Sequence, residues 1–272
     1  MIVPPSDQEP IGTNSRVPSH RSWRGWTRTR IVQLAAVVAA TGVVATIVVL
    51  FVRPVGTQFP WHTHIVSTTF WVGEVFDPTA ADGSQVLSTY NSLWIQSFGG
   101  CDGVLTDGSC QTEQRSGVNG FFPSQMTPKE NPFYLDLPFD DVHDQTALSM
   151  RQKVIPWAGE PDYAAPAGDP TASLMKNRWV RIRANGQTCY GQIEDAGPGS
   201  YHDSSYVFGS NDQRPENRKF NGAGMDVSPA LNGCLHFTDV NGEADTVDWQ
   251  FLAASDVPAG PWTAIVTTSG TR

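Results

Sequence analysis

The chain has little of what marks most catalytic classes. It holds four cysteines in 272 residues, and none of them falls in a Cys-x-x-Cys spacing, so neither a zinc ribbon nor a redox dithiol is expected. A glycine-rich phosphate loop, a Gly-x-Ser-x-Gly turn and a stripe of basic residues interleaved with aromatics are all missing. Nucleotide-dependent chemistry, α/β-hydrolase esterase chemistry and nucleic-acid binding lose their usual signatures with them, and neither a cofactor nor a metal is expected. The sequence carries no internal repeat and no long run of 3.6-residue periodicity, which argues against a helical array.

Positive charge is scarce and unevenly placed. Residues 1–53 hold six arginines against Asp7 and Glu9, a net +4, whereas the remainder holds 12 basic and 25 acidic residues, a net −13. A polyanion is a poor partner for that acidic remainder. Residues 1–30, rich in Pro, Ser and Arg, read as a disordered tail. In Ile31 to Val52 Gln33 is the only strongly polar residue, and 22 residues at 1.5 Å per residue suffice to cross a hydrocarbon core of ~30 Å. The run is longer than the core of a cleaved signal peptide, and no small-x-small site ends it, so it reads as an uncleaved signal-anchor over 31–53. Arg16, Arg21, Arg24, Arg28 and Arg30 precede it and Arg53 alone lies close on its other side. The positive-inside rule then leaves the N-terminus in the cytoplasm and exports the 219 residues from Pro54 onward, with 54–66 as a linker at the membrane.

The exported part is punctuated by Gly, Pro, Asn and Asp and reads as mainly β. Trp179-Val-Arg-Ile-Arg183 alternates as a half-buried strand does, Asn185-Gly186 is the dipeptide that a two-residue hairpin prefers, and Cys189-Tyr-Gly-Gln-Ile193 returns. This second run leads into Glu194-Asp195-Ala-Gly-Pro198, where Gly197 and Pro198 stop the ladder and present Asp195 at a rim. After a polar loop comes Gly224-Met225-Asp226-Val-Ser228-Pro229 at the start of a short helix. Thr68-Thr-Phe-Trp-Val-Gly-Glu74, Val247 to Leu252 and Trp262 to Thr267 are further strand-like runs. Between about 98 and 172 the pattern is irregular, and this stretch is expected to be an insertion that walls one side of the site. Pairing Cys101 with Cys110 and Cys189 with Cys234 would close loops worth roughly 3 and 4 kcal/mol, although spacing leaves the other two pairings open.

The order of strand, Asn-Gly hairpin, Asp-x-Gly-Pro and Asp-[hydrophobic]-Ser resembles the double-psi β-barrel superfamily, which includes rare lipoprotein A, expansins, barwin-like proteins, lytic transglycosylase A and family 45 endoglucanases. The resemblance covers Ser173 to Phe237 best. It implies a six-stranded double-psi β-barrel over 67–268, enlarged by the insertion. It also implies a polysaccharide partner, peptidoglycan or β-glucan, cut with an aspartate as proton donor. On this resemblance Asp226 stands where expansins and family 45 enzymes have that donor, and Asp195 where rare lipoprotein A has its Asp-Arg-Gly-Pro aspartate, with Ala196 in place of the arginine. Val72 stands where family 45 enzymes carry the base, and Glu74, two residues on, is the substitute carboxylate. A lytic transglycosylase needs a single acid/base, because the sugar's own 6-hydroxyl attacks, whereas a hydrolase needs a pair. An expansin-like module that binds or loosens a wall without cutting it is the alternative.

Each of these residues also has a purely structural reading. Asp226 would cap the helix that starts near Ser228, and Asp195 would be a turn-former. Trp71 and Tyr190, beside the motif strands, and Tyr201 and Tyr206, in the polar loop, are the candidate sugar-stacking aromatics. His62-x-His64 makes a poor metal cage in a linker, and Asp140-Asp-Val-His-Asp144 reads as a solvated turn.

Overall fold

The computed structural model describes residues 58–75 and 85–272. The anticipated tail and signal-anchor therefore lie outside the described residues, and among the described residues no helix is long and apolar enough to cross a membrane. Six strands close a mixed barrel: β1 (His62–Thr69), β4 (Tyr134–Leu137), β5 (Trp179–Ala184), β6 (Gln187–Ala196), β7 (Met225–Val227) and β8 (Asp245–Leu252). Around the barrel they run β1-β7-β4-β6-β5-β8. The β1–β7 and β4–β6 pairs are parallel and the others antiparallel. Closure leaves no free sheet edge, and Leu135, Val180, Ile182, Ile193, Met225, Val227 and Trp249 join the buried core.

The β5–β6 hairpin forms as its sequence dictates. Asn185 and Gly186 take φ of 50° and 75°, the positive pair that a two-residue turn needs, and the ladder runs in register from Ala184–Gln187 to Trp179–Gln192. Cys189 is bonded to Cys234 and Cys101 to Cys110. The second bridge spans a small outer hairpin, β2 (Val104–Thr106) with β3 (Ser109–Gln111).

Several expectations need correction. From Phe59 on, the segment read as a linker is part of the barrel, because Phe59 is buried in the core and β1 begins at His62. Beyond Thr69 the chain leaves the strand: Trp71 to Glu74 make a turn, closed by the Glu74 N–H on the Trp71 carbonyl at 3.0 Å. The stretch 98–172 is more than an insertion, since it supplies β4, which sits between β7 and β6 in the barrel wall. Trp262 to Thr267 is not an edge strand. Pro261–Thr263 is a 3-10 turn, and Trp262 packs on Phe133 and Tyr190.

Among the described residues five short helices accompany the strands: α1 (Trp94–Phe98), α2 (Gln145–Val154), α3 (Pro161–Gly168), α4 (Ser204–Val207) and α5 (Pro229–Leu235). α2 starts at Asp144, whose carboxylate accepts the Thr146 and Ala147 N–H groups. α5 starts at Ser228, whose hydroxyl accepts the Leu231 N–H, with Pro229 in the first turn and His236 left-handed at the end, the arrangement expected for such termini.

Candidate active site

The barrel register brings three aspartates side by side. Asp136 on β4 lies opposite Asp195 on the parallel neighbour β6 and opposite Asp226 on the antiparallel neighbour β7. A β-bulge decides which acid of β6 takes part. Leu135 pairs with Ile193 but Asp136 pairs with Asp195, so Glu194 is passed over. Without the extra residue Glu194 would face Asp136, since a one-residue slip reverses every side chain.

Each carboxylate is held differently. Asp226 is half-buried. Its Oδ1 accepts the Thr68 hydroxyl from β1. Asp136 is buried, and its Oδ1 accepts the Asp226 backbone N–H at 3.0 Å. Asp195 is buried, and its Oδ1 accepts the Thr89 and Ala196 N–H groups at 2.8 Å each. Gly197 passes so close that a methyl group there would come within 2.6 Å of Asp136 Oδ2, which is why glycine is needed at that exit.

Burial penalises the charged form, and the neighbouring charges felt by all three are negative. Desolvation, then the charges of Glu74 and Asp195, raise Asp226 to about 8. Desolvation also raises Asp195 to about 7, against the two N–H donors that favour its charged form. Asp136 is pushed up by burial and by Asp226 and Asp195. Glu74, in the turn after β1, is half-buried and raised to about 7 by desolvation. The geometry therefore offers two half-buried carboxylic acids, Asp226 and Glu74, that hold a proton near neutral pH, beside the buried Asp136 and Asp195. That is the make-up of a general acid.

Of the residues singled out from sequence, Asp226, Asp195 and Glu74 are thus brought into one electrostatic group. The helix-cap reading of Asp226 fails, because Ser228 does that work. Asp195 is not at a rim, because the β4–β6 ladder continues through Ala196. Val72 is buried in a side cluster with Phe70, Trp94, Phe98 and Tyr134, and its N–H donates to the Tyr134 hydroxyl. Trp71 is buried with its indole N–H on the Cys110 carbonyl. Tyr190 is buried against Trp262, and Tyr206 is buried with its hydroxyl on the Gly224 carbonyl. Tyr201 is exposed, and its carbonyl accepts the Asp140 N–H.

His62 and His64 do not form a pair, since His62 is buried flat against Trp249 while His64 is exposed. Asp140 and Asp141 are not a solvated turn. Both are buried; Asp140 accepts the Val142 and His143 N–H groups, and Asp141 holds Ser173 and Leu174. Among the described residues no group of three or more His, Cys, Asp or Glu side chains is arranged to hold a metal.

Sequence reasoning missed Asp136. Its one signal was a lone carboxylate inside the apolar run Phe133-Tyr-Leu-Asp-Leu137, where an unpaired charge is costly enough to need a reason. No protein-family model, no curated protein and no solved structure matches the chain.

Proposed function

We propose that the protein is a membrane-anchored, exported double-psi β-barrel enzyme that cleaves a polysaccharide, with Asp226 as proton donor. The observation that carries this reading is Asp226 itself: a half-buried residue whose carboxyl group is raised to about 8, on the strand beside Asp136 and sharing its surroundings with Asp195. In its neutral form it donates to the departing glycosidic oxygen while the Thr68 hydroxyl orients it. With Val72 buried and apolar, the single-acid route of a lytic transglycosylase needs the fewest groups. Hydrolysis would use Glu74 or Asp195 as the second carboxylate. The parallel β1–β7 and β4–β6 pairs within a closed six-stranded barrel support the double-psi topology. The anchor rests on the apolar run Ile31 to Val52, and the arginines before it support an orientation with the barrel on the outer side of the membrane.

A second reading, a binding module that does not cut, is favoured by the buried Val72 at the position of the family 45 base. One experiment separates the two. The full chain is incubated with purified peptidoglycan and with a panel of β-glucans, and the products are read by mass spectrometry. Anhydro-ended fragments mean a lytic transglycosylase and new reducing ends a hydrolase. Retention on insoluble glycan without products means a binding module, and neither retention nor products refutes both readings.

A further inference from the structure

We infer that Phe220, with Arg218 and Lys219 beside it, is a sugar-binding platform next to Asp226, and that the glycan it takes carries carboxylate groups. The inference deepens the glycan reading and rests on it. Phe220, Asn221 and Gly222 take φ of 50°, 57° and 74°, three successive residues in the left-handed region. Glycine adopts that region freely and asparagine tolerates it, but a bulky aromatic residue there is strained. The turn is held by the Gly222 N–H on the Lys219 carbonyl at 2.8 Å, the Ala223 N–H on the Phe220 carbonyl at 3.0 Å and the Asn221 side-chain amide on the Glu243 carbonyl at 2.9 Å.

Phe121 shows what packing can offset such strain. Its φ is 65°, and its ring meets Phe133 edge-on and packs against the core. Phe220 lacks that compensation: it is 55% exposed and stands apart from the core clusters of the described residues. Strain that packing does not offset points to a ligand, and the exposed face of an aromatic ring is a surface on which a sugar ring stacks. The place fits the site. Phe220 precedes Asp226 by six residues, a span of at most about 22 Å. Its turn runs directly into β7 and rests against β1, the strand that supplies Thr68.

Arg218 and Lys219 supply the charge. Both are exposed, and neither is in an ion pair among the described residues. Arg218 is braced on the Pro215 carbonyl at 3.1 Å, and Glu216 is the one other charged residue between 215 and 224. From Pro54 onward the chain carries a net −13. Two adjacent unpaired cations in that setting suit a sugar that bears its own carboxylate better than a neutral glucan.

The test is retention of the full chain on insoluble peptidoglycan, on the same material with its carboxyl groups amidated, and on β-glucan. Wild type should hold native peptidoglycan at least tenfold more tightly than either of the others. Phe220→Ala should weaken that retention roughly three- to tenfold, and Arg218→Gln with Lys219→Gln should abolish the preference for native over amidated material. Phe220→Gly should weaken retention as Phe220→Ala does while raising Tm by about 2–4 °C, because the strain is released. A Tm that falls in Phe220→Gly would mean that the ring supports the fold, and would overturn the inference. So would wild type that is retained on glycan while the variants bind equally well, or that holds amidated and native material alike; in those cases the glycan reading survives. Retention of wild type on no glycan overturns both.

Discussion

Glu194 and Asp195 are neighbours on one strand, both buried and both raised to about 7, yet they sit in opposite surroundings. Glu194 has a cation, the Lys176 ammonium at 2.5 Å. Asp195 has N–H donors and other acids. The same contrast divides the rest of the barrel. Asp102 is held by Arg115 at 2.8 Å and by the Tyr134 hydroxyl at 2.7 Å, and Asp141 has Arg151 at 3.7 Å, whereas Asp136 and Asp226 have only carboxylates as charged neighbours. A raised pKa is therefore no mark of function by itself, since burial raises Glu194 even beside its lysine. What separates the two regions is whether the structure supplies a counter-charge. Paired acids tie segments together, and unpaired ones keep a proton available for transfer.

The contrast predicts which residues matter for activity and which for stability. The largest effect falls on the unpaired side: Asp226→Asn lowers kcat on the cleaved glycan by roughly 10²–10⁴-fold, the usual worth of a general acid, without loss of fold. Next, on the paired side, Lys176→Met leaves the buried Glu194 without its counter-ion, so that above neutral pH it must either stay charged and alone or take up a proton to fold. It costs about 3–5 kcal/mol of stability in a urea titration, whereas Asp195→Asn, which strands no ion, costs much less. Equal costs would erase the distinction. Removing the Cys189–Cys234 bridge, with a sequence separation of 45, costs more than removing Cys101–Cys110, with a separation of 9; loop closure gives about 4 and 3 kcal/mol.

His62 sharpens the comparison from the basic side. It is buried with neither ring nitrogen hydrogen-bonded among the described residues, and burial lowers it to about 4. Its neutral form stabilises the fold above the ordinary histidine range, and that stability is lost as pH falls toward 4. His62→Phe should therefore remove part of the acid-side loss, a gain of a few °C, about what 1 kcal/mol is worth in a domain of this size.

Much of the barrel was legible in the sequence because its strands speak locally. The Asn185-Gly186 turn fixes the β5–β6 hairpin, and the alternation over Val247 to Leu252 gives the end of β8. β4 was not legible, since all four of its residues are buried. A strand with both faces covered shows no alternation, and at that length it cannot be told from any other apolar run. β1 was displaced toward its C-terminal end because His62 and His64 read as polar, although the first is core. At the site, Asp195 and Asp226 announced themselves at motif ends. Their meeting through Asp136 depends on strand order and on the bulge at Glu194, which are tertiary facts that no local pattern encodes.

The most direct test of the unpaired-carboxylate account is the melting temperature of wild type and Asp226→Asn as a function of pH. The folded state raises Asp226 to about 8, above its unfolded value. Its stabilising contribution is thus complete below the unfolded value and is lost as pH rises through about 8. The account predicts that wild type loses stability relative to Asp226→Asn steadily between those limits, so that the variant gains most at alkaline pH. A wild type that instead gains on the variant as pH rises would mean that Asp226 is stabilised in its charged form, and would contradict the account.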